Sequence, residues 1–218
     1  MAGLDFGIII PAFNEEKTIA DVVRKVSLVG LPIVVDDGSS DSTESIAVRH
    51  GAVVVKHAKN LGYDSALNSG FNKADKLGFK FAVTIDADGQ HNPSALSEIA
   101  KILIGGADVV CGVRDKRQRV GEHIFAFFGK VLWGISDPLC GLKGYNLEIY
   151  RDRGHFDSYG SVGTELIIFA ARNKKNIVQL PIKTFQRLDA PRFGTSIRAN
   201  FKIMRSLIMA LIKKDIPL

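Results

Sequence analysis

Two carboxylates and a carboxamide stand close together in the run Asp86-Ala-Asp88-Gly-Gln90. All three offer hard oxygen ligands, yet they are too few to fill a coordination shell. That suits Mg²⁺ or Mn²⁺, which keep positions open for water and substrate phosphates. The same residues also suit a plain turn, with Asn92 capping a helix that starts near Pro93. Two earlier clusters are of similar character. Pro11-Ala-Phe13-Asn-Glu15 either contacts a ribose or base, or is an acidic first helical turn favoured by the helix dipole. Val35-Asp-Asp37-Gly-Ser-Ser-Asp41 either presents Asp37 to a nucleobase or is only a turn with Asp41 as a cap.

These clusters need elements to position them. Apolar runs at Phe6–Ile10, Leu31–Val35, Ala52–Lys56, Phe79–Ile85 and Ala107–Cys111 read as strands. Helical patterns alternate with them at Asn14–Val29, from about Asp41, at Asp64–Lys76 and at Pro93–Leu103. Continuously apolar strands alternating with helices predict an α/β fold, a mostly parallel sheet with helices on both faces. Ligands of such sheets bind beyond the carboxyl ends of the strands. All three polar clusters fall there.

After Arg114 the pattern changes. Val120–Ile135 reads as an aromatic, apolar helix, Asp137–Asn146 as a glycine-rich segment, Thr164–Ala171 as a helix and Ile177–Phe185 as a strand. Ile197, Phe201, Met204, Ile208 and Leu211 recur at spacings of 4, 3, 4 and 3, which predicts an amphipathic C-terminal helix. The expected division is a catalytic domain over 1–192 and a basic, membrane-interfacial helix over 193–218. From Arg192 onward there are six basic residues and one acid, within a chain of 218 residues carrying a net +6. Such a tail suits an anionic partner: nucleic acid, phospholipid or a phosphorylated substrate.

Composition narrows the class. Apolar residues are 46% and charged residues 24%, which excludes a disordered chain. The two cysteines, Cys111 and Cys140, make no disulfide framework and fit a reducing compartment. The start of the chain lacks a basic n-region, and no stretch reaches the length of a membrane span. The expectation is a cytoplasmic chain, peripheral on the cytoplasmic face of a membrane. The aromatic helix and the basic amphipathic helix both suit a headgroup interface, though both stripes would equally suit packing on the sheet. Attachment through a membrane-protein partner is the other route.

Taken together and in order, IIIPAFNEE, VVDDGSSDST, LGYDSALNSGFNKA and TIDADGQHNP resemble glycosyltransferase family 2, the inverting GT-A enzymes. The resemblance spans roughly residues 6 to 200. Within the family, DADGQHNP, Asp137-Pro-Leu-Cys-Gly141 and Arg192-Phe-Gly-Thr-Ser196 look most like the dolichyl-phosphate or polyprenyl-phosphate mannosyltransferases. The resemblance implies a Rossmann-like GT-A fold. It implies a nucleotide-sugar site at Pro11, Phe13, Glu15, Val35, Asp37, Asp86 and Ala87, closed by Arg192 and Arg198. It implies a metal at Asp88 and Gln90, and an acceptor phosphate met by Arg114 and Arg119. At Arg198 the family usually has lysine, and at Cys140 serine or threonine is common. Cys140 reads as a packing substitution, and Lys143 and Lys183 as solvated charges.

The implied reaction moves a hexose, mannose from GDP-mannose above all, to a polyprenyl or dolichyl phosphate. The leaving diphosphate gains charge, which a metal and arginines would offset. A phosphate acceptor is already anionic near neutral pH, so Arg114 and Arg119 would position it rather than deprotonate it. A hydroxyl acceptor would need a base, for which Glu165 is the candidate. The alternatives are UDP-glucose or another donor, a hydroxyl acceptor, or a basic protein binding RNA or membrane. Against RNA, aromatic residues are not interleaved with basic ones, and the carboxylates would repel a phosphate backbone. A nucleotidyltransferase would need a glycine-rich basic N-terminal loop, which is absent. No nucleic-acid partner is expected.

Overall fold

The computed structural model describes residues 5–89, 93–183 and 196–213. Seven strands form one sheet: β1 (Phe6–Ala12), β2 (Leu31–Asp36), β3 (Val53–Lys56), β4 (Phe81–Thr84), β5 (Val109–Arg114), β6 (Lys143–Asn146) and β7 (Ile177–Ile182). Their spatial order is β3-β2-β1-β4-β6-β5-β7. All neighbours are parallel except β6, which runs antiparallel to both β4 and β5. The helices are α1 (Ile19–Val26), α2 (Thr43–Arg49), α3 (Tyr63–Lys76), α4 (Pro93–Ile104), α5 (Val120–Trp133), α6 (Leu147–Arg153), α7 (Glu165–Arg172) and α8 (Ser196–Ile212). This is the expected α/β architecture, a mostly parallel sheet with helices on both faces.

Alternation along each strand sends side chains to opposite faces. Ile8, Ile10, Val34 and Val83 join a core with Ile19, Val22, Val23 and Val26 of α1 and with Leu96 and Ile99 of α4. Ile9, Ile33, Ala82 and Val109 join a second core with Leu67 and Phe71 of α3 and with Leu166 and Ile167 of α7. Both faces are therefore covered, which is why the strands read as unbroken apolar runs. A third cluster, Phe125, Ile168, Ile203, Leu207 and Ala210, joins α5, α7 and α8. Close approach fixes this junction. The Gly121 amide donates to Asn200 Oδ1 at 2.8 Å, and a Cβ at Gly121 would lie 2.8 Å from that oxygen.

Three sequence expectations change. The segment 137–146 is not merely glycine-rich, because it ends in β6, and α6 follows it directly. Lys143 is not solvated: it is 3% exposed, and its amine donates to Cys140 O at 2.5 Å and to Gly163 O at 3.2 Å. Buried carbonyls thus satisfy a charge that the sequence alone assigns to water. Of the α8 stripe found by spacing, Ile197, Phe201, Ile208 and Leu211 face outward and Met204 is half-buried against the third cluster, while Ala199, Ile203, Leu207 and Ala210 face inward. The expected domain boundary at 192/193 lies outside the described residues. Among the described residues, no helix is long and apolar enough to cross a membrane.

Candidate active site

The carboxyl ends of β1, β2, β4 and β5 open on a cavity of about 370 Å³. Its acidic wall comes from the first half of the chain: Glu15 before α1, Asp37 after β2, and Asp86 and Asp88 after β4. Its basic wall comes from Arg114 at the end of β5, Arg119 at the start of α5, and Lys202 on α8.

Glu15, Asp37 and Asp86 each accept hydrogen bonds from donors around them. Glu15 is buried, and its carboxylate accepts from Thr18 Oγ1 at 3.1 Å while its amide donates to Thr43 Oγ1 at 2.7 Å. Asp37 accepts from the amides of Leu61 (2.9 Å) and Gly62 (2.8 Å), and His57 Nδ1 lies 2.6 Å from its Oδ1. His57 Nε2 lies 2.8 Å from Ser69 Oγ, so a buried relay orients Asp37 from behind. Tyr63 donates its hydroxyl to Asp86 Oδ1 at 3.3 Å. Burial, and then the Asp86 charge, push the Tyr63 phenol well above its ordinary value, so it remains a donor. Gly141 lies directly under Asp86: a Cβ there would come within 2.2 Å of Oδ2.

Arg114 and Arg119 are held by carboxylates instead. Asp137 accepts from Arg114 Nε at 2.8 Å, Nη2 at 2.9 Å and the Arg114 amide at 3.1 Å. Burial works against this guanidinium, but the Asp137 bonds and charge outweigh it and keep it protonated above its usual range. Glu122, 5% exposed, lies 3.1 Å from Arg119 Nη1 and 3.8 Å from Arg114 Nη2. It also accepts from the Gln118 amide at 3.0 Å.

Pro11, Phe13, Glu15, Asp37, Asp86, Ala87, Asp88, Arg114 and Arg119 all line this cavity, as the sequence led us to expect. Val35 does not. It is fully buried in β2, where its side chain is part of the core. Arg198 lies on the exposed surface of α8 and is not in the cavity wall; Lys202, one turn later, is. Gln90 and Arg192 lie outside the described residues. Glu165 does not reach the cavity as a base. It is 2% exposed, pairs with Arg153, and accepts from the Ser158 amide (2.6 Å) and hydroxyl (2.8 Å). Burial alone would raise its pKa, but the Ser158 and Arg153 contacts outweigh that and lower it. Burial pushes the Cys140 thiol up to about 12, in keeping with a packing role.

Four contributors were not legible in advance. Tyr63 lay inside a quoted motif without being singled out. Lys202 stands four residues after Arg198, a spacing that puts both on one side of a helix. Asp137 and Glu122 carried no local signal of their partners.

For a divalent cation the donor set fits. Asp86 and Asp88 bring hard oxygens to one wall, Asp88 being 5% exposed. Among the described residues no further carboxylate, histidine or cysteine completes a group that would close the shell. An ion held there keeps positions for a diphosphate.

The model of glycosyl transferase family 2 matches residues 7–128, which include every acidic residue of the cavity wall. The chain belongs to glycosyl transferase family 2. It is a glycosyltransferase with the GT-A architecture of that family. It is 31% identical to the UDP-N-acetylglucosamine–dolichyl-phosphate N-acetylglucosaminyltransferase of Methanococcus voltae, over 95% of this chain and 96% of the relative. It is 28% identical to the polyprenol monophosphomannose synthase of Mycolicibacterium smegmatis, over 90% and 84%. In fold it is similar to the glucosyl-3-phosphoglycerate synthase of Mycobacterium tuberculosis, solved with Mn²⁺ and UDP-glucose. The TM-score is 0.76 at 23% identity, covering 96% of this chain and 79% of that one.

Proposed function

We propose that this family 2 glycosyltransferase moves a sugar from a nucleoside diphosphate to a polyprenyl phosphate, with inversion, at a membrane surface. The observation that carries the reading is the basic wall across the cavity from Asp86 and Asp88. An anionic acceptor needs positioning more than deprotonation, and no unengaged base is required. Arg114 is suited to that task because Asp137 fixes its orientation through two of its N–H groups, and the guanidinium has more donors to offer. The two named relatives differ in sugar and share a lipid phosphate in their names, which supports the acceptor class over any one donor.

Asp88 and Asp86 would hold Mg²⁺ or Mn²⁺ in this reading, with Gln90 as the expected further ligand. The ion would supply positive charge against the leaving diphosphate. Around it, Glu15 and Asp37 orient the nucleoside, and Tyr63 holds Asp86 in place. For the donor we favour a uridine diphosphate sugar over the GDP-mannose suggested by the sequence. Asp37 already accepts two amides and faces His57, which leaves about one acceptor position of the roughly four on a carboxylate. One position matches the single imide N–H of uracil better than the paired donors of guanine. GDP-mannose stands as the second reading on the similarity to the mannose synthase.

The test is titration of UDP-N-acetylglucosamine, UDP-glucose and GDP-mannose with and without Mn²⁺, followed by transfer to a polyprenyl phosphate. Metal-dependent binding of a uridine donor and formation of a sugar-phosphate lipid are expected. Preference for GDP-mannose would overturn the donor assignment, and transfer only to hydroxyl acceptors would overturn the acceptor assignment.

A further inference from the structure

Most exposed large apolar residues outside two helices are scattered singly, as Leu28, Val48, Leu77 and Ile104 are, on separate elements. Single exposed residues of this kind are ordinary. On α5 and α8 they are concentrated. Phe127, Val131 and Leu132 stand out from α5, and Ile197, Phe201 and Ile208 from α8, with Phe127 64% and Phe201 71% exposed. These are not misplaced core residues, because each helix also has an inward face of its own. Phe125 serves α5, and Ile203, Leu207 and Ala210 serve α8. The two helices pack against each other, and the Gly121–Asn200 bond fixes them as a unit.

Charge on the unit is one-sided. Lys130 of α5 and Arg198, Lys202 and Arg205 of α8 are exposed, and the three on α8 recur at spacings of 4 and 3. The one acid on α5, Glu122, is buried, and the sequence of α8 contains none. Thus α8 has an inward apolar stripe, an outward apolar stripe and a basic stripe beside the latter.

We propose that the outer faces of α5 and α8 together form a docking surface for an anionic lipid bilayer. Apolar side chains enter the acyl boundary while lysine and arginine reach anionic headgroups, their stems lying along the apolar surface. A second copy of the chain suits this surface poorly, since pairing it with itself sets basic residues against basic residues. The position of the surface gives it a purpose. Arg119 at the start of α5 and Lys202 and Ile203 of α8 also line the cavity. A docked chain thus has its basic cavity wall at headgroup depth, where the phosphate of a membrane-borne acceptor lies. This purpose rests on the acceptor reading above; the surface itself rests on exposure and charge.

The test uses the full chain and vesicles of phosphatidylcholine alone or mixed with phosphatidylglycerol. Wild type is expected to sediment with the mixed vesicles and far less with the neutral ones. The pair Phe127→Glu and Ile208→Glu should weaken that binding by about tenfold or more. Lys130→Glu should weaken it by about a few-fold on mixed vesicles only. Both variants change exposed residues, so the melting temperature, donor titration and turnover on a short prenyl phosphate dissolved in water should stay as in wild type. Equal sedimentation of wild type and variants, or of wild type with both vesicle types, would overturn the docking surface. So would a wild-type dimer that Phe127→Glu dissociates. Failure of the acceptor reading looks different: vesicle binding would follow the pattern above, with no turnover on any prenyl phosphate.

Discussion

On one side of the cavity, Asp37 and Asp86 are held by backbone amides, a histidine and a tyrosine hydroxyl; on the other, Arg114 and Arg119 are held by the carboxylates of Asp137 and Glu122. On the acidic wall these contacts set where the carboxylate oxygens point. On the basic wall Arg114 and Arg119 are each paired with a buried carboxylate, so what these two offer is oriented N–H groups more than net charge. Attraction of the metal and diphosphate should then depend on charge, and seating of the acceptor on geometry. Substitutions on the two walls should differ in kind as well as in size.

The largest effect is expected on the acidic wall. Asp88→Ala should lower turnover by about a thousandfold and abolish the metal dependence of donor binding, with the melting temperature little changed. Turnover and donor titration check it. Wild-type-like metal dependence in this variant would remove Asp88 from the donor site. Arg114→Ala should behave otherwise. Turnover should fall by about a hundredfold, and the fold should lose about 3 kcal/mol because Asp137, 1% exposed, loses its counter-charge and keeps the backbone amide of position 114 as a donor. Chemical denaturation read beside turnover separates the two losses. Equal stability of Asp88→Ala and Arg114→Ala would break the contrast between the walls.

Glu165 tests the comparison from outside the cavity. Glu165→Gln should cost about 1–3 kcal/mol, since Arg153 loses its counter-charge and one acceptor oxygen is lost. The pKa of Glu165 is lowered from its ordinary 4.5, so its contribution is complete above that value. It is lost as the pH falls through the lower native value. The variant should therefore lack that part of the acid-side loss of stability, while its pH–rate profile keeps the wild-type shape. An acidic limb of the rate profile that disappears with Glu165→Gln would restore it as a general base.

The acidic wall was legible from sequence and the basic wall only in part, for a physical reason. Glu15, Asp37, Asp86 and Asp88 follow strands buried on both faces, and such strands announce themselves as apolar runs ended by polar turns. The neighbours that orient the basic wall come from tertiary packing. Asp137 reaches Arg114 across 23 positions of sequence. Strand β6 is four residues long and begins with a lysine, and only the carbonyls of Cys140 and Gly163 make that lysine a buried residue. Spacing found an apolar stripe on α8 but gave no sign of which way it faces, because the helix carries two.

Asp86 allows the finest test, because it is held from two sides by residues of different chemistry. Gly141→Ala puts a methyl group where the Asp86 carboxylate lies, and the carboxylate is the part that can move. Donor affinity should fall by about tenfold at unchanged charge. Tyr63→Phe keeps the ring in place and removes only the hydroxyl donated to Asp86. A bond of 3.3 Å to a carboxylate is long for its class, so the loss should be nearer the low end, about 0.5–1 kcal/mol or a few-fold in donor affinity. Charge on the acidic wall is intact in both variants. If position were immaterial there, both would titrate like wild type, and the wall would act by field alone. If Tyr63→Phe cost as much as Gly141→Ala, the hydroxyl would be touching the donor as well as holding Asp86. Titration of the same uridine donor into the two variants distinguishes these cases.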